Sequence, residues 1–338
     1  MKLITNANDI KMQSLQTKCK ACRQNLRREI KMAFSQLLSS MAMLLTMVLP
    51  GFIFKKRGLI TESQTKCISN IIVNLIVPAI IINAFQIEYT EKLVGDVFEI
   101  IGLYAFMILV CAVILVVVSK IARFSSFQKG IFAAVLMVPN TGFIGIPLIN
   151  AFFGAEGLFY ISICEIVNDI FLFTVVYTIV SRTAGQNEKM QLREFFSPPI
   201  IAVIIGFAMF MLKITLPPFL GGAAENISNA SAALAMFVLG SQLADIRFKE
   251  FFGDAKVYIQ VVARLLLMPF IAFVIMRLIL KNTSLLSTVF VLCWGLPAGV
   301  FSVVLAEKFN TDPSFATKCV MLSNMLCLIT IPVCVMFL

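Results

Sequence analysis

The stretch Val138-Pro139-Asn140-Thr141-Gly142-Phe143-Ile144-Gly145-Ile146-Pro147-Leu148 lies inside an apolar run from Gly130 to Phe153. A run of roughly two dozen residues is long enough to cross the hydrocarbon core of a bilayer. Its centre, however, holds two prolines, two glycines, an asparagine and a threonine. Pro139 has no N–H to donate and its ring clashes with the carbonyl one turn back, so a helix must bend or open there. Pro147 is expected to make a further break for the same reason. Gly142 and Gly145 permit backbone conformations that other residues resist. In lipid every freed N–H and C=O needs a partner, so a broken helix at membrane depth is tolerated where it lines a site. Asn140 and Thr141 supply some partners; a bound ion or substrate supplies the rest.

A second interruption, Gly295-Leu296-Pro297-Ala298-Gly299, sits in the middle of the apolar run from Leu285 to Ala306. Prolines are common in membrane helices, so one alone would be read as a packing kink. Two interrupted spans in corresponding places of two halves are the stronger sign, because they point to the substrate site of a secondary transporter.

The whole composition agrees with a membrane setting. The chain of 338 residues is 59% hydrophobic and only 14% charged, with a mean hydropathy of +0.94. That excludes a soluble domain and predicts an all-α polytopic membrane protein. Apolar length places spans at roughly 34–54, 68–86, 98–119, 130–153, 157–180, 198–216, 225–243, 256–280, 285–306 and 315–337. The net charge of +10 lies in short loops beside these spans and does not suggest nucleic acid. There is no histidine, which excludes His-ligated haem or zinc and His-based triads. No catalytic residue, metal or cofactor is expected, and the chain does not read as an enzyme. The acidic pair Glu165 and Asp169 lies on one helix, whereas a hydrolase would want two facing carboxylates. Most cysteines, such as Cys111, Cys164 and Cys293, fall in apolar runs and read as small buried hydrophobes. The lone pair Cys19 and Cys22 is weak evidence for metal or redox chemistry.

The connections are asymmetric. Basic residues collect after the odd-numbered spans, as in Lys55, Lys56, Arg57 and Lys66, or Lys120, Arg123 and Lys129. The connection after span 2 is acidic, with Glu88, Glu91 and Asp96. The positive-inside bias then puts odd connections in the cytoplasm and, for ten spans, both termini outside a cell membrane. Residues 1–31 conflict with that topology, since eight basic residues face only Asp9 and Glu29. They read as an amphipathic surface segment or as a region ahead of a true start at Met32. The remaining chain divides into a five-span repeat at 32–180, a short connection at 181–197 and a second repeat at 198–338. Ile68-Ser69-Asn70 recurs as Ile227-Ser228-Asn229, the break of span 4 recurs in span 9, and Asn168 is echoed by Asn324. An odd number of spans per half means the halves are inverted relative to one another.

With these residues in view, the chain resembles the auxin efflux carrier family, and most closely its prokaryotic permease branch. The matching pieces are Pro139-Asn140-Thr141 with Gly145-Ile146-Pro147-Leu148, Ala235-Met236-Phe237 with Leu239-Gly240, Leu296-Pro297-Ala298-Gly299, Ala306-Glu307-Lys308-Phe309-Asn310 ahead of Pro313, and Ile331-Pro332. The resemblance runs from about Met32 to Leu338. The long cytoplasmic loop of the plant branch is missing. The resemblance implies a ten-span fold like that of sodium/proton antiporters and bile-acid symporters, with spans 4 and 9 crossing at their unwound centres. It implies a moving unit of spans 3–5 and 8–10, a scaffold of spans 1, 2, 6 and 7, a homodimer, and carboxylate substrates such as malate or malonate carried by an elevator-type mechanism.

Physical chemistry points to an anion independently. Helices broken at Pro139 and Pro297 leave half-helix N-termini whose N–H groups carry partial positive charge. Asn140, Thr141 and Gly142, with Pro297, Ala298 and Gly299, form the expected substrate site. Arg264 in span 8 either neutralises an incoming carboxylate or snorkels to the interface. Asn74 and Ser231 line the scaffold side or serve as interhelical packing contacts. In span 5, Ser162, Glu165, Asn168 and Asp169 share one helical face among apolar neighbours. An unpaired ionised carboxyl at that depth is costly. Asp169 is therefore the expected proton-loading group, Glu165 its modulator and Asn168 a substrate contact, with sodium ligation as the alternative coupling. A cation/proton antiporter of the same fold and a non-transporting membrane sensor are the rival functions.

Overall fold

The computed structural model describes residues 42, 43, 46–186, 197–244 and 254–338. The basic segment 1–31, and with it Cys19 and Cys22, lies outside the described residues, as does most of the 181–197 connection. The chain divides into two compact units, Met1–Met43 and Leu44–Leu338. Of the first, only residues 42 and 43 are described, both helical.

Among the described residues, the regular structure of the second unit is helical. In order it contains α1 (46–56), α2 (Glu62–Ala84), α3 (Glu91–Ile121), α4 (Ser126–Met137), α5 (Thr141–Thr183), α6 (Pro198–Leu212), α7 (Pro218–Ala244), α8 (Ala255–Ile279), α9 (Leu285–Gly295), α10 (Phe301–Lys308) and α11 (Pro313–Phe337). Six of these, α2, α3, α5, α7, α8 and α11, are long and apolar enough to cross a membrane, while α4, α6 and α9 are shorter apolar helices. The chain is thus a multi-pass membrane protein. Polar caps set several starts: Thr61 and Ser125 form capping boxes with Gln64 and Gln128, and Thr90 caps α3. Each cap satisfies an orphan N–H of the first turn. Because Thr90 begins α3 well ahead of the apolar run, that helix is longer than the expected 98–119. Phe98, Leu109, Val113 and Ile121 along it are exposed apolar side chains.

α5 is two limbs. Gly154 takes φ +59 and ψ −147 inside it, a conformation that residues with a Cβ rarely adopt. Thr141 Oγ1 lies 3.5 Å from Asn168 Nδ2. Twenty-seven residues of straight helix would separate them by roughly 40 Å, so the limbs fold back at Gly154. The apolar runs 130–153 and 157–180 therefore belong to separate limbs that meet at this glycine.

Pro147 does not break the chain, contrary to expectation. The helix runs continuously from Thr141 through Gly145 as a π-turn into Ile146 and beyond. A π-turn shifts hydrogen bonds to the fifth residue back and moves aside the carbonyl that a proline ring would strike. The same device recurs twice. The π-turn Ile72–Ile76 precedes Pro78 in α2, and Ala263–Leu267 precedes Pro269 in α8.

Backbones approach closely where α1 crosses α7. A Cβ on Gly51 would overlap the carbonyl of Phe237, and one on Gly240 would overlap the carbonyl of Val48. The two helices thus cross with each glycine against the other's main chain, the small-residue contact expected inside a membrane. Next to it, Thr65 Oγ1 and Ser241 Oγ share a buried hydrogen bond of 2.8 Å between α2 and α7.

Candidate functional site

The two interrupted segments meet. α4 ends when the Val138 N–H donates to the Ala134 carbonyl at 3.1 Å, and Val138 then turns extended at φ −107, ψ 98. Pro139 and Ala298 form an isolated antiparallel bridge. The Asn140 N–H donates to the Pro297 carbonyl at 2.8 Å, and the Gly299 N–H donates to the Val138 carbonyl at 2.9 Å. Each break therefore supplies backbone partners that the other lost. The Ala298 N–H donates to Ser323 Oγ of α11 at 3.1 Å, a partner that no motif in the sequence singles out. A Cβ on Gly299 would lie 3.0 Å from Val138 Cγ1, so this position holds the crossing close.

One numerical relation runs through the region. Residues 138 and 297, then 140 and 299, are each 159 apart in the reciprocal bonds. The same spacing separates the N-caps Ser125 and Ser284 and the Ile-Ser-Asn pieces at 68–70 and 227–229. In this register Asn324 pairs with Glu165, and not with Asn168 as its position in the last apolar run suggested.

Four helix ends converge at the crossing: the C-termini of α4 and α9, and the N-termini of α5 and α10. The first N–H groups of a helix have no intrahelical partner. Asn140 precedes α5 but makes no side-chain cap to it, so its amide is not spent on the helix. A Cβ on Gly142 would lie 2.8 Å from Glu165 Oε1, which places that carboxyl against the first turn of α5. Thr141, Asn168 and Glu165 are buried there, and Asp169, one turn beyond Glu165, is half-buried. Among the described residues, Glu165 Oε2, Ser162 Oγ and Asn324 Oδ1 are buried without a hydrogen-bond partner. A cavity of about 330 Å³ is lined by Thr65, Ser69, Gln242, Val300 and Asn324, with Glu62 and Lys66 also on its wall. It reaches Val300, the residue that opens α10.

Arg264 lies inside the protein, against the ends of α4 and α9. Its side chain is fully buried and does not run out to the interface. Nε donates to the Leu296 carbonyl at 2.9 Å and Nη1 to the Leu136 carbonyl at 2.8 Å. Nη2 reaches the Cys293 carbonyl at 3.5 Å, and the guanidinium lies 5.6 Å from the centre of the Trp294 ring. Asn74 is exposed and gives its amide to the Asn70 carbonyl at 2.9 Å. Ser231 is buried at the middle of α7, its hydroxyl unpartnered among the described residues. Among the described residues, Asn74 bonds within α2 and Ser231 makes no bond to the crossing.

The profile of a family described as "Membrane transport protein" matches residues 36–335. An "Uncharacterized transporter" of Methanothermobacter thermautotrophicus is 26% identical over 299 residues, covering 85% of this chain and 94% of its own. An "Uncharacterized transporter" of Methanocaldococcus jannaschii is 24% identical over the same shares. The mouse "Lysosomal cholesterol signaling protein" is 22% identical over 317 residues, which cover 87% of this chain but 36% of the mouse protein.

Proposed function

We propose that this chain, which belongs to the membrane transport protein family and so to the auxin efflux carriers its motifs resemble, is a secondary carrier of small organic anions such as dicarboxylates. The observation that carries this reading is the reciprocal pairing of the two breaks through Asn140 with Pro297 and Gly299 with Val138. It gathers two half-helix N-termini at one buried point, where a carboxylate is favoured by the exposed N–H groups and the helix dipoles. Asn140, Thr141 and Asn168 on one side, and Pro297, Ala298 and Gly299 on the other, are the substrate contacts in this reading. The constant spacing of 159 residues supports ten passes in two inverted repeats, with an elevator-like movement of the crossing against a scaffold built on α1, α2, α6 and α7. A homodimer in the cell membrane with both termini outside completes the proposal.

The direct test is uptake of labelled malate, malonate and succinate into proteoliposomes under imposed proton or sodium gradients. Accumulation of at least one above empty vesicles is expected. No accumulation of any, with a sodium–proton exchange signal instead, would move the assignment to the antiporter reading.

Coupling rests on Glu165 and Asp169. The former's carboxyl sits against α5's first turn and the latter follows one turn on, on the same face. Two carboxylates so placed disfavour simultaneous ionisation, and an unpaired charge there is expensive. A proton that joins one of them on loading neutralises this cost, with Asp169 as the carrier and Glu165 its modulator. Asp169→Asn is expected to abolish accumulation driven by a pH gradient while substrate exchange between loaded vesicles survives. Wild-type uptake that ignores an imposed pH gradient and follows sodium would sink this coupling.

A further inference from the structure

We infer that Arg264 sets the sign of the electric field at the crossing without touching the substrate, by neutralising the two helix C-termini that meet there. A helix end carries roughly half an elementary charge, positive at the N-terminus and negative at the C-terminus. Four ends at one point therefore cancel, and a bare crossing favours neither sign of ligand. Arg264 does not sit among the ends at random. Its donors go to the carbonyl of Leu136 in the last turn of α4, and to those of Cys293 and Leu296 at the end of α9. One guanidinium charge thus offsets the roughly two half-charges of the C-termini. What is left is the pair of N-termini, of α5 and of α10, with the Glu165 carboxyl against the first turn of α5.

At the spacing of 159 residues the partner position of Arg264 is Ala105 on α3, so the repeat offers no second arginine. The guanidinium is fully buried and, unlike a lysine ammonium, forks to several carbonyls at once. Its charge acts at short range through a medium of low dielectric, where it is weakly screened. The inference gives the anion preference of the proposed carrier a structural origin and rests on that reading for its biological meaning. The field itself can be measured with no substrate present.

Val300 opens α10 and is partly exposed in the cavity beside Asn324. In the full chain carrying Val300→Cys, the rates of modification by an anionic and a cationic methanethiosulfonate of similar size are compared. Mass spectrometry of the peptide containing residue 300 separates this site from the native cysteines, and free glutathione normalises the two reagents. With Arg264 in place, the anionic reagent is expected to be preferred. Arg264→Gln should lower the anionic-to-cationic ratio by at least about tenfold, as loss of one buried charge requires, and Arg264→Lys should keep most of it. A second route leaves the fork intact. Cys111 on α3 is buried within electrostatic reach of Arg264, so Cys111→Asp places a carboxylate beside the guanidinium and should also lower the ratio. Glu165 and Asp169 are present in every variant, so the comparison isolates Arg264. An unchanged ratio in Arg264→Gln, or in Cys111→Asp where Arg264→Gln does not fold, overturns the inference. So does an equal fall in Arg264→Lys and Arg264→Gln, which would assign the effect to hydrogen-bond geometry and not to charge. Failure of malate uptake with a normal ratio would instead count against the carrier's substrate class alone.

Discussion

Asn140→Ala is expected to lose most carboxylate uptake while leaving the folded protein nearly as stable as before. Asparagine ahead of a helix ordinarily accepts a hydrogen bond from the first turn, and losing that cap costs about 1 kcal/mol. Asn140 makes no such bond, so alanine removes no cap. The contacts that hold the crossing here are its main-chain N–H to Pro297 and its carbonyl to Ile144 and Gly145, and alanine keeps all of them. What is removed is a buried amide beside two helix N-termini. Hydrogen bonds to a charged group are worth roughly 1.5–3 kcal/mol each, so the loss of one predicts a fall in uptake of about tenfold to a little over a hundredfold. The check is uptake in proteoliposomes alongside the melting temperature of the purified protein. Wild-type uptake by this variant removes Asn140 from the site; a large drop in melting temperature assigns it a structural task instead.

Gly51→Ala and Gly240→Ala are expected to have the largest effects on folding. Each added methyl would overlap a main-chain carbonyl of the facing helix, Phe237 for Gly51 and Val48 for Gly240. A side chain in the way could turn aside; a backbone cannot move without its helix. Overpacking in a well-packed interior costs about 1–3 kcal/mol, and more where main chain must shift. Separating α1 from α7 also disturbs the neighbouring Thr65–Ser241 hydrogen bond. Either substitution should lower the melting temperature in detergent by several degrees and reduce the amount of monodisperse protein. Gly222→Ala, where a Cβ meets nothing within 4 Å, is the matched control and should be neutral. Equal melting temperatures for Gly240→Ala and this control would show that α1 and α7 are not packed this closely.

The sequence by itself determined the membrane-embedded helical class, the approximate course of the apolar helices and the places where two of the apolar runs are interrupted. Those are local matters. Apolar length decides partition into lipid, and the missing N–H and the ring of Pro139 act within one turn of helix. The same local rule misjudged Pro147, because a π-turn beginning at Thr141 carries the helix past it. Tertiary structure decided how the interruptions are satisfied. The partner of the Asn140 N–H is the Pro297 carbonyl, far along the chain, and no propensity or spacing near residue 140 specifies that choice. Arg264 is the clearest case. Its charge in an apolar run marked it as exceptional, but nothing in the sequence named its partners within the protein. They are carbonyls of Leu136, Cys293 and Leu296, groups every residue possesses and no sequence distinguishes. They become acceptors for a buried cation only because two helices end at one point, and that convergence is a property of the folded chain.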